Sequence, residues 1–265
     1  MSSPDLPPEL LDYIVDLLRD SKGTLKACCL VSKSWVPHTR KHLFASVELC
    51  SPMRLQAWKN AFPNPSTSPA CYAKSLSIGY LGTVTYEDTQ EGGWILTFSC
   101  VQRLEVDIDN QISFITPFHG FSPAIKSLHI KSSPFPFSRI LNLIYSFPLL
   151  EDLSLDAFYG FIYGDDFHNQ LVATRPSSSP ALTGTLKLLN CAGMHRIASA
   201  LQSLPNGLHF RKLDLTLGNK GDISSTMALV DECSCTLESL RIHYGFTGMR
   251  APRPRSHRWL TSVYS

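Results

Sequence analysis

FPLLEDLSL, residues 147–155, decides how this chain of 265 residues is read. Leu153 and Leu155 flank Ser154, so the segment alternates with the period of a strand that hides one face. Just upstream, SRILNLIYSF (138–147) spaces Ile140, Leu141, Ile144, Tyr145 and Phe147 as an amphipathic helix, and Pro148 stops it. Outward from there, Leu-x-(Leu/Ile/Val) recurs with its first leucine at Leu76, Leu104, Leu128, Leu153, Leu186, Leu213 and Leu240. The successive separations are 28, 24, 25, 33, 27 and 27 residues. Further helices are predicted at 194–204, stopped by Pro205 and Gly207, and at 223–233. Strand, crossover helix and strand again require parallel pairing, and stacked units of this kind form a curved solenoid.

Most of these spacings fall in the range of leucine-rich repeats, although the units are irregular. The asparagine that often follows the strand in regular repeats is absent, except for Asn190 after Leu188 and Leu189. Two breaks rich in proline and serine interrupt the pattern, FPNPSTSPA (62–70) and RPSSSP (175–180). The second, with YGFIYGDDFHNQ before it, explains the long interval as an inserted loop at 159–182. The first reads as a hinge, with MRLQAWKNAF (53–62) as a bridging helix ahead of it. The expected organisation is a helical module at 1–49, a bridging helix and linker at 50–70, a repeat region at 71–245 and a basic tail at 246–265. In each repeat the residue between the two buried positions faces outward. That gives Ser77, Glu105, His129, Ser154, Lys187, Asp214 and Arg241 as a mixed-charge row on the concave face and the candidate target-binding residues. Taken singly, each reads first as a solvated strand position, and only as a set do they mark a surface.

The opening 49 residues read differently. LPPELLDYIVDLL (6–18), LKACCLVSKSW (25–35) and HTRKHLFASVEL (38–49) are three helical candidates. Pro7 and Pro8 suit a first helical turn, where a missing N–H costs little. Leu10, Leu11, Ile14, Leu17 and Leu18 then form one broad apolar stripe. So short a module has too little interior to bury all of it, so part of the stripe is expected to await a partner. These residues resemble an F-box, and the pattern is matched by Leu6, Pro7, Leu10, Ile14, Leu17, Leu25, Cys28, Leu30, Val31, Ser32, Trp35 and Leu43. The resemblance implies docking onto the adaptor subunit of a cullin–RING ubiquitin ligase. Leu6, Pro7, Leu10 and Leu30 would face that partner, with Ser32 and Lys33 at the rim. Ile14, Leu17, Leu18, Leu25, Cys28, Val31, Trp35, Leu43 and Phe44 would form the module's interior. An ordinary helical hairpin packed on the first repeat is the plainer reading.

FPLLEDLSL, PALTGTLKLL, LPNGLHFRKLDL and CSCTLESLRI also resemble the repeat region of a large, functionally uncharacterised group of F-box proteins in mushroom-forming fungi, as far as about Tyr244. Beyond Gly245 the pattern stops, which reads as a truncated or altered end. The expected fold class is therefore α/β, an N-terminal three-helix F-box followed by an irregular leucine-rich-repeat-like parallel-sheet solenoid. The implied function is substrate recognition for the ligase, with a protein target on the repeats. The alternative is a binding scaffold built the same way without a role in ubiquitination. No enzymatic activity and no cofactor are expected.

Bulk properties agree with such a protein. Twenty-four Lys+Arg against 22 Asp+Glu give a net charge of +2, which favours neither nucleic acid nor an anionic membrane. No basic-then-apolar leader and no run of 18 apolar residues is present, so a cytoplasmic or nuclear location is expected, with the eight cysteines reduced and mostly buried. Catalytic and metal motifs are incomplete. His38 and His42 are spaced for zinc but lack a third ligand and a glutamate between them, so they read as a charged helix face. Cys233 and Cys235 with His243 are likewise too few for a metal, and Cys233 reads as core. Asp165 and Asp166 near His168 lie in the inserted loop without a nucleophile, and Gly92-Gly93 is followed by Trp94, not by a phosphate-binding Lys. Arg250, Arg253, Arg255 and Arg258 read as a solvated basic tail.

Overall fold

The computed structural model describes residues 7–79, 94–107, 121–133, 137–158, 182–191, 193–218 and 222–244. Three helices open the chain: α1 (Pro8–Leu17), α2 (Lys22–Val31) and α3 (Trp35–Leu43). The Pro7 carbonyl starts α1 by accepting the N–H groups of Leu10 and Leu11 at 3.0 and 3.1 Å. Pro8 at the first turn forfeits a bond that would have had no partner there. Helix α3 packs against both α1 and α2.

The rest is α/β, built on one open sheet of eight parallel strands in chain order. The strands are β1 (Ser46–Leu49), β2 (Ser75–Gly79), β3 (Arg103–Asp107), β4 (Ser127–Ser133), β5 (Asp152–Phe158), β6 (Thr185–Leu189), β7 (Lys212–Leu217) and β8 (Ser239–Tyr244). Among the described residues four helices lie between strands: α4 (Pro52–Ala61), α5 (Phe137–Tyr145), α6 (Met194–Gln202) and α7 (Asp222–Cys233). Seven of the strands contain the Leu-x-(Leu/Ile/Val) fragments. The eighth, β1, has Val47 and Leu49 at the same two buried positions and pairs with Leu76 and Ile78 of β2. Valine in place of the first leucine hides it from the repeat pattern.

Register is held by a recurring hydrogen-bond device. Just ahead of each strand, one carbonyl accepts two successive N–H groups from the next unit. Ala45 O takes those of Lys74 and Ser75, Lys74 O those of Gln102 and Arg103, and Gln102 O those of Lys126 and Ser127. Lys126 O, Gly184 O and Arg211 O repeat it for Glu151/Asp152, Arg211/Lys212 and Glu238/Ser239. The device changes only across the long interval. There Glu151 O takes the Gly184 N–H alone, and the Asp152 side chain accepts the Thr185 N–H at 2.6 Å. A Cβ on Gly184 would fall 2.3 Å from that carboxylate oxygen, so any other residue would displace the Asp152 side chain from this bond.

Because the strands stay in register, their leucines form continuous rows. Leu76, Leu104, Leu128, Leu153, Leu186 and Leu213 are side by side and buried, as are Ile78, Val106, Ile130, Leu155, Leu188 and Leu215. Ile140, Leu141 and Ile144 of α5 and Ile197, Ala198 and Leu201 of α6 join them in one core. The 62–70 segment is not a free hinge. It forms the 3-10 turns Pro65–Thr67 and Pro69–Tyr72, with Pro69 and Ala70 buried. Phe44, Trp58, Phe62 and Phe98 stack beside it with ring centroids 4.9 to 5.9 Å apart. Turns and ring contacts therefore fill the segment that joins the helical module to the sheet. The inserted loop and the basic tail lie outside the described residues, apart from Leu182, which is buried.

The eight cysteines are all free thiols. Cys28, Cys191 and Cys233 are buried while Cys71, Cys100 and Cys235 are exposed, so fewer are interior than expected. Two equivalent leucines test the packing. Leu153 is 0% exposed in mid-sheet, whereas Leu240 on the edge strand β8 is 43% exposed. In urea denaturation Leu153→Ala should cost about 2–5 kcal/mol, while Leu240→Ala should cost below about 1 kcal/mol. Equal losses would show that the edge strand is covered like the others.

Candidate interaction surfaces

The helical module divides its apolar residues sharply. Leu11 and Val15 of α1 and Leu25 and Cys28 of α2 are buried, with Ile14, Leu18, Trp35, Leu43 and Phe44 half-buried around them. Leu11, Val15 and Leu18 follow i, i+4, i+7 and define the inward face of α1. Leu10, Tyr13 and Leu17 follow i, i+3, i+7 on a separate stripe that solvent reaches. Leu17, expected inside, is instead 67% exposed. Val31, also expected inside, is 71% exposed, because it is the last residue of α2 before Ser32 turns extended. Leu30 beside it is 89% exposed.

Of the expected partner-facing residues, Pro7, Leu10 and Leu30 are exposed as anticipated by their placement, and Leu6 lies outside the described residues. Ser32 is half-buried and its Oγ accepts the Ser34 N–H at 3.3 Å, while Lys33 is exposed. His38 and His42 are not isolated on a charged face. They pair across to α1, His38 with Asp12 and His42 Nε2 with Asp16 Oδ1 at 2.9 Å. The matching i, i+4 spacing of Asp12 and Asp16 was the available signal. Thr39, fully buried, donates to the Trp35 carbonyl at 2.9 Å and lies 2.9 Å from Cys29 Sγ.

The second surface is the polar side of the sheet. Ser77, Glu105, His129, Ser154, Lys187, Asp214 and Arg241 fall opposite one another in a single row across β2 to β8, and Glu48 extends it onto β1. Residues from the next row lock it. Lys131 Nζ donates to Glu105 Oε1 at 2.5 Å, and Ser77 Oγ donates to the same oxygen at 3.3 Å. His129 Nδ1 stands 3.7 Å from Glu105 Oε2, and its buried Nε2 has no hydrogen-bond partner among the described residues. At the far end, His243 Nε2 and Arg241 Nη1 approach Asp214 at 2.9 and 3.9 Å. Sequence reading missed Lys131 and His243, whose role follows from register and not from spacing.

Between these clusters a groove of about 350 Å³ opens over β3 to β6, lined by Arg103, Ser127, His129, Asp152, Ser154, Thr185 and Lys187. Asp152 is engaged by the Thr185 N–H at 2.6 Å. Among the described residues neither Arg103 nor Lys187 has an ion-pair partner. Among the described residues no group of His, Cys, Asp and Glu could hold a metal ion, and no helix is long and apolar enough to cross a membrane. The Asp165 to His168 cluster lies outside the described residues. No protein-family model matches the sequence, and no curated protein matches it.

The cluster at Glu105 is electrostatically loaded. Burial pushes the Glu105 carboxyl up, but the hydrogen bond and charge of Lys131, with His129 and Ser77, outweigh it and hold its pKa below the ordinary value. Burial lowers His129; Glu105 and Asp156 oppose this, while Lys131 and Lys187 reinforce it. The Glu105 hydrogen bond raises Lys131. Both depressed groups take up protons more readily in the unfolded chain. Their contribution is therefore complete above the unfolded values, 6.5 for His129 and 4.5 for Glu105, and falls as the pH drops through each folded value. The urea midpoint should hold from neutral to mildly alkaline pH and decline on acidification. His129→Gln should flatten the part that begins near 6.5 and only weaken the part below 4.5, which Lys131 still sustains. An unchanged profile in that variant would remove His129 from the balance.

Proposed function

We propose that this chain is a substrate-recognition adaptor of a cullin–RING ubiquitin ligase. Its α1–α3 module acts as an F-box that grips the ligase's adaptor subunit. The strands and helices that follow act as an irregular leucine-rich-repeat-like solenoid that holds a protein target. The protein supplies proximity and orientation, and the chemistry of ubiquitin transfer belongs to other subunits.

One observation carries this reading. Leu10, Tyr13 and Leu17 of α1 and Leu30 and Val31 of α2 are exposed, while Leu11, Val15, Leu25 and Cys28 of the same helices are buried. Large outward apolar groups concentrated in so small a module mark a surface that another polypeptide covers. Trp58 and its aromatic neighbours fasten the module to the sheet, which suits a part that must hold a target at a fixed position relative to the ligase.

Leu10 and Leu30 are surface residues, so truncating them spares the fold. Leu10→Ala with Leu30→Ala should weaken binding of the full chain to purified adaptor subunit by about thirtyfold or more, since an interface anchor is worth about 2 kcal/mol or more. The circular dichroism spectrum should not change. Undiminished binding by the double variant would refute the assigned face, and recovery of adaptor without cullin would favour the non-ligase scaffold.

A further inference from the structure

We infer that the groove across β3 to β6 takes an acidic segment of polypeptide, lying across the strands with its carboxylates on Arg103 and Lys187. The inference rests on the reading of the sheet's polar side as the target surface, and it names the chemistry of the target.

Charge supplies the first argument. Arg103 and Lys187 are exposed at the groove and unpaired among the described residues, whereas the neighbouring anions are engaged. Glu105 is held by Lys131 at 2.5 Å, Asp152 by the Thr185 N–H at 2.6 Å, and Asp214 by His243 at 2.9 Å. In formal charge, Arg103 and Lys187 outnumber Asp152, the one carboxylate of the lining, so the groove is net positive. Two free cations facing an open space are complementary to an anionic guest.

Spacing supplies the second. Arg103 lies on β3 and Lys187 on β6, three strand steps apart, which is roughly 14 Å at the usual inter-strand distance. An extended peptide rises roughly 3.3 Å per residue, so acidic side chains about four residues apart meet the two cations. The hydroxyls of Ser127, Ser154 and Thr185 lie between them and can bond the peptide's backbone. The groove's 350 Å³ is enough for a few side chains, not a folded domain.

The test uses the purified full chain and fluorescent hexaglutamate, with hexalysine and a neutral Gly-Ser peptide as controls, read by fluorescence anisotropy. Hexaglutamate alone should bind, and added salt should weaken it. Arg103→Gln with Lys187→Gln should lose roughly tenfold or more in affinity, as should Ser154→Trp, which fills the groove without altering its charge. Lys26→Gln, on the helical module, should change nothing. All three sites in the groove are at least partly exposed, and matching thermal melts check that the fold survives.

No binding of hexaglutamate, or full binding by the Arg103/Lys187 variant, overturns the inference. If hexalysine or the neutral peptide binds instead and Ser154→Trp abolishes it, the acidic assignment is overturned while the sheet face stands as a binding surface. Hexaglutamate that binds the Ser154→Trp variant unchanged sits elsewhere, and the sheet-face reading falls with the inference. An oligonucleotide of equal charge that displaces hexaglutamate more effectively would overturn a peptide in favour of a general polyanion.

Discussion

A backbone carbonyl that accepts two successive N–H groups, repeated ahead of nearly every strand, governs the architecture. Ala45, Lys74, Gln102, Lys126, Gly184 and Arg211 each play this part. It returns every unit to the same height and so aligns the strands without slippage. A slip of one residue would turn Leu153 outward and Ser154 into the core. The position where the device fails is informative. Ahead of β6, the Asp152 carboxylate replaces a carbonyl and Gly184 makes room for it. A long excursion between β5 and β6 is thereby tolerated without loss of register.

Exact register is also what creates the polar surface. Serine, glutamate, histidine, lysine, aspartate and arginine scattered over the chain become neighbours only because Ser77, Glu105, His129, Ser154, Lys187, Asp214 and Arg241 occupy equivalent positions. Their electrostatics are then collective. Glu105 answers to Lys131 and His129 from the next strand, and His129 feels Asp156 and Lys187 from two further strands. Half-buried charge of this kind persists only where partners offset the cost of desolvation. Among the described residues Arg103 and Lys187 have no ion-pair partner, unlike Glu105, Asp214 and Arg241 on the same side of the sheet.

Much of this was legible in the sequence, for definite reasons. Alternation and spacing found seven strands, and Pro148 and Pro205 marked the ends of helices. Helices expected at 53–62, 138–147, 194–204 and 223–233 fall on α4, α5, α6 and α7 within two residues at each end. What escaped depends on three-dimensional neighbours. Val47 concealed β1, because the pattern demanded leucine. Pro63, Pro65 and Pro69 suggested a hinge, although proline serves equally well in tight turns that pack. Leu17 and Val31 were assigned inward because a stripe as broad as Leu10 to Leu18 does not reveal its centre; Leu11 and Val15 set it. Arg103 was invisible as a binding residue, since it lies one turn of the pleat before the row that the repeat defined.

The two candidate surfaces differ in physical character, and this bears on how such a protein would work. The α1–α2 face is apolar, with Leu10, Tyr13, Leu17, Leu30 and Val31 as its main groups. Association through it draws on burial of hydrocarbon, is insensitive to salt and favours slow dissociation. The sheet groove is polar and charged, so a guest there is steered in quickly, released quickly and weakened by ions. On the adaptor reading, that division is functional: a lasting grip on the ligase at one end, and an exchangeable grip on successive targets at the other. Trp58 packs against Phe44, Phe62 and Phe98 where the helical module meets the sheet. On that reading such a join would matter when both surfaces are occupied at once, since it sets the geometry between a target and a catalytic partner.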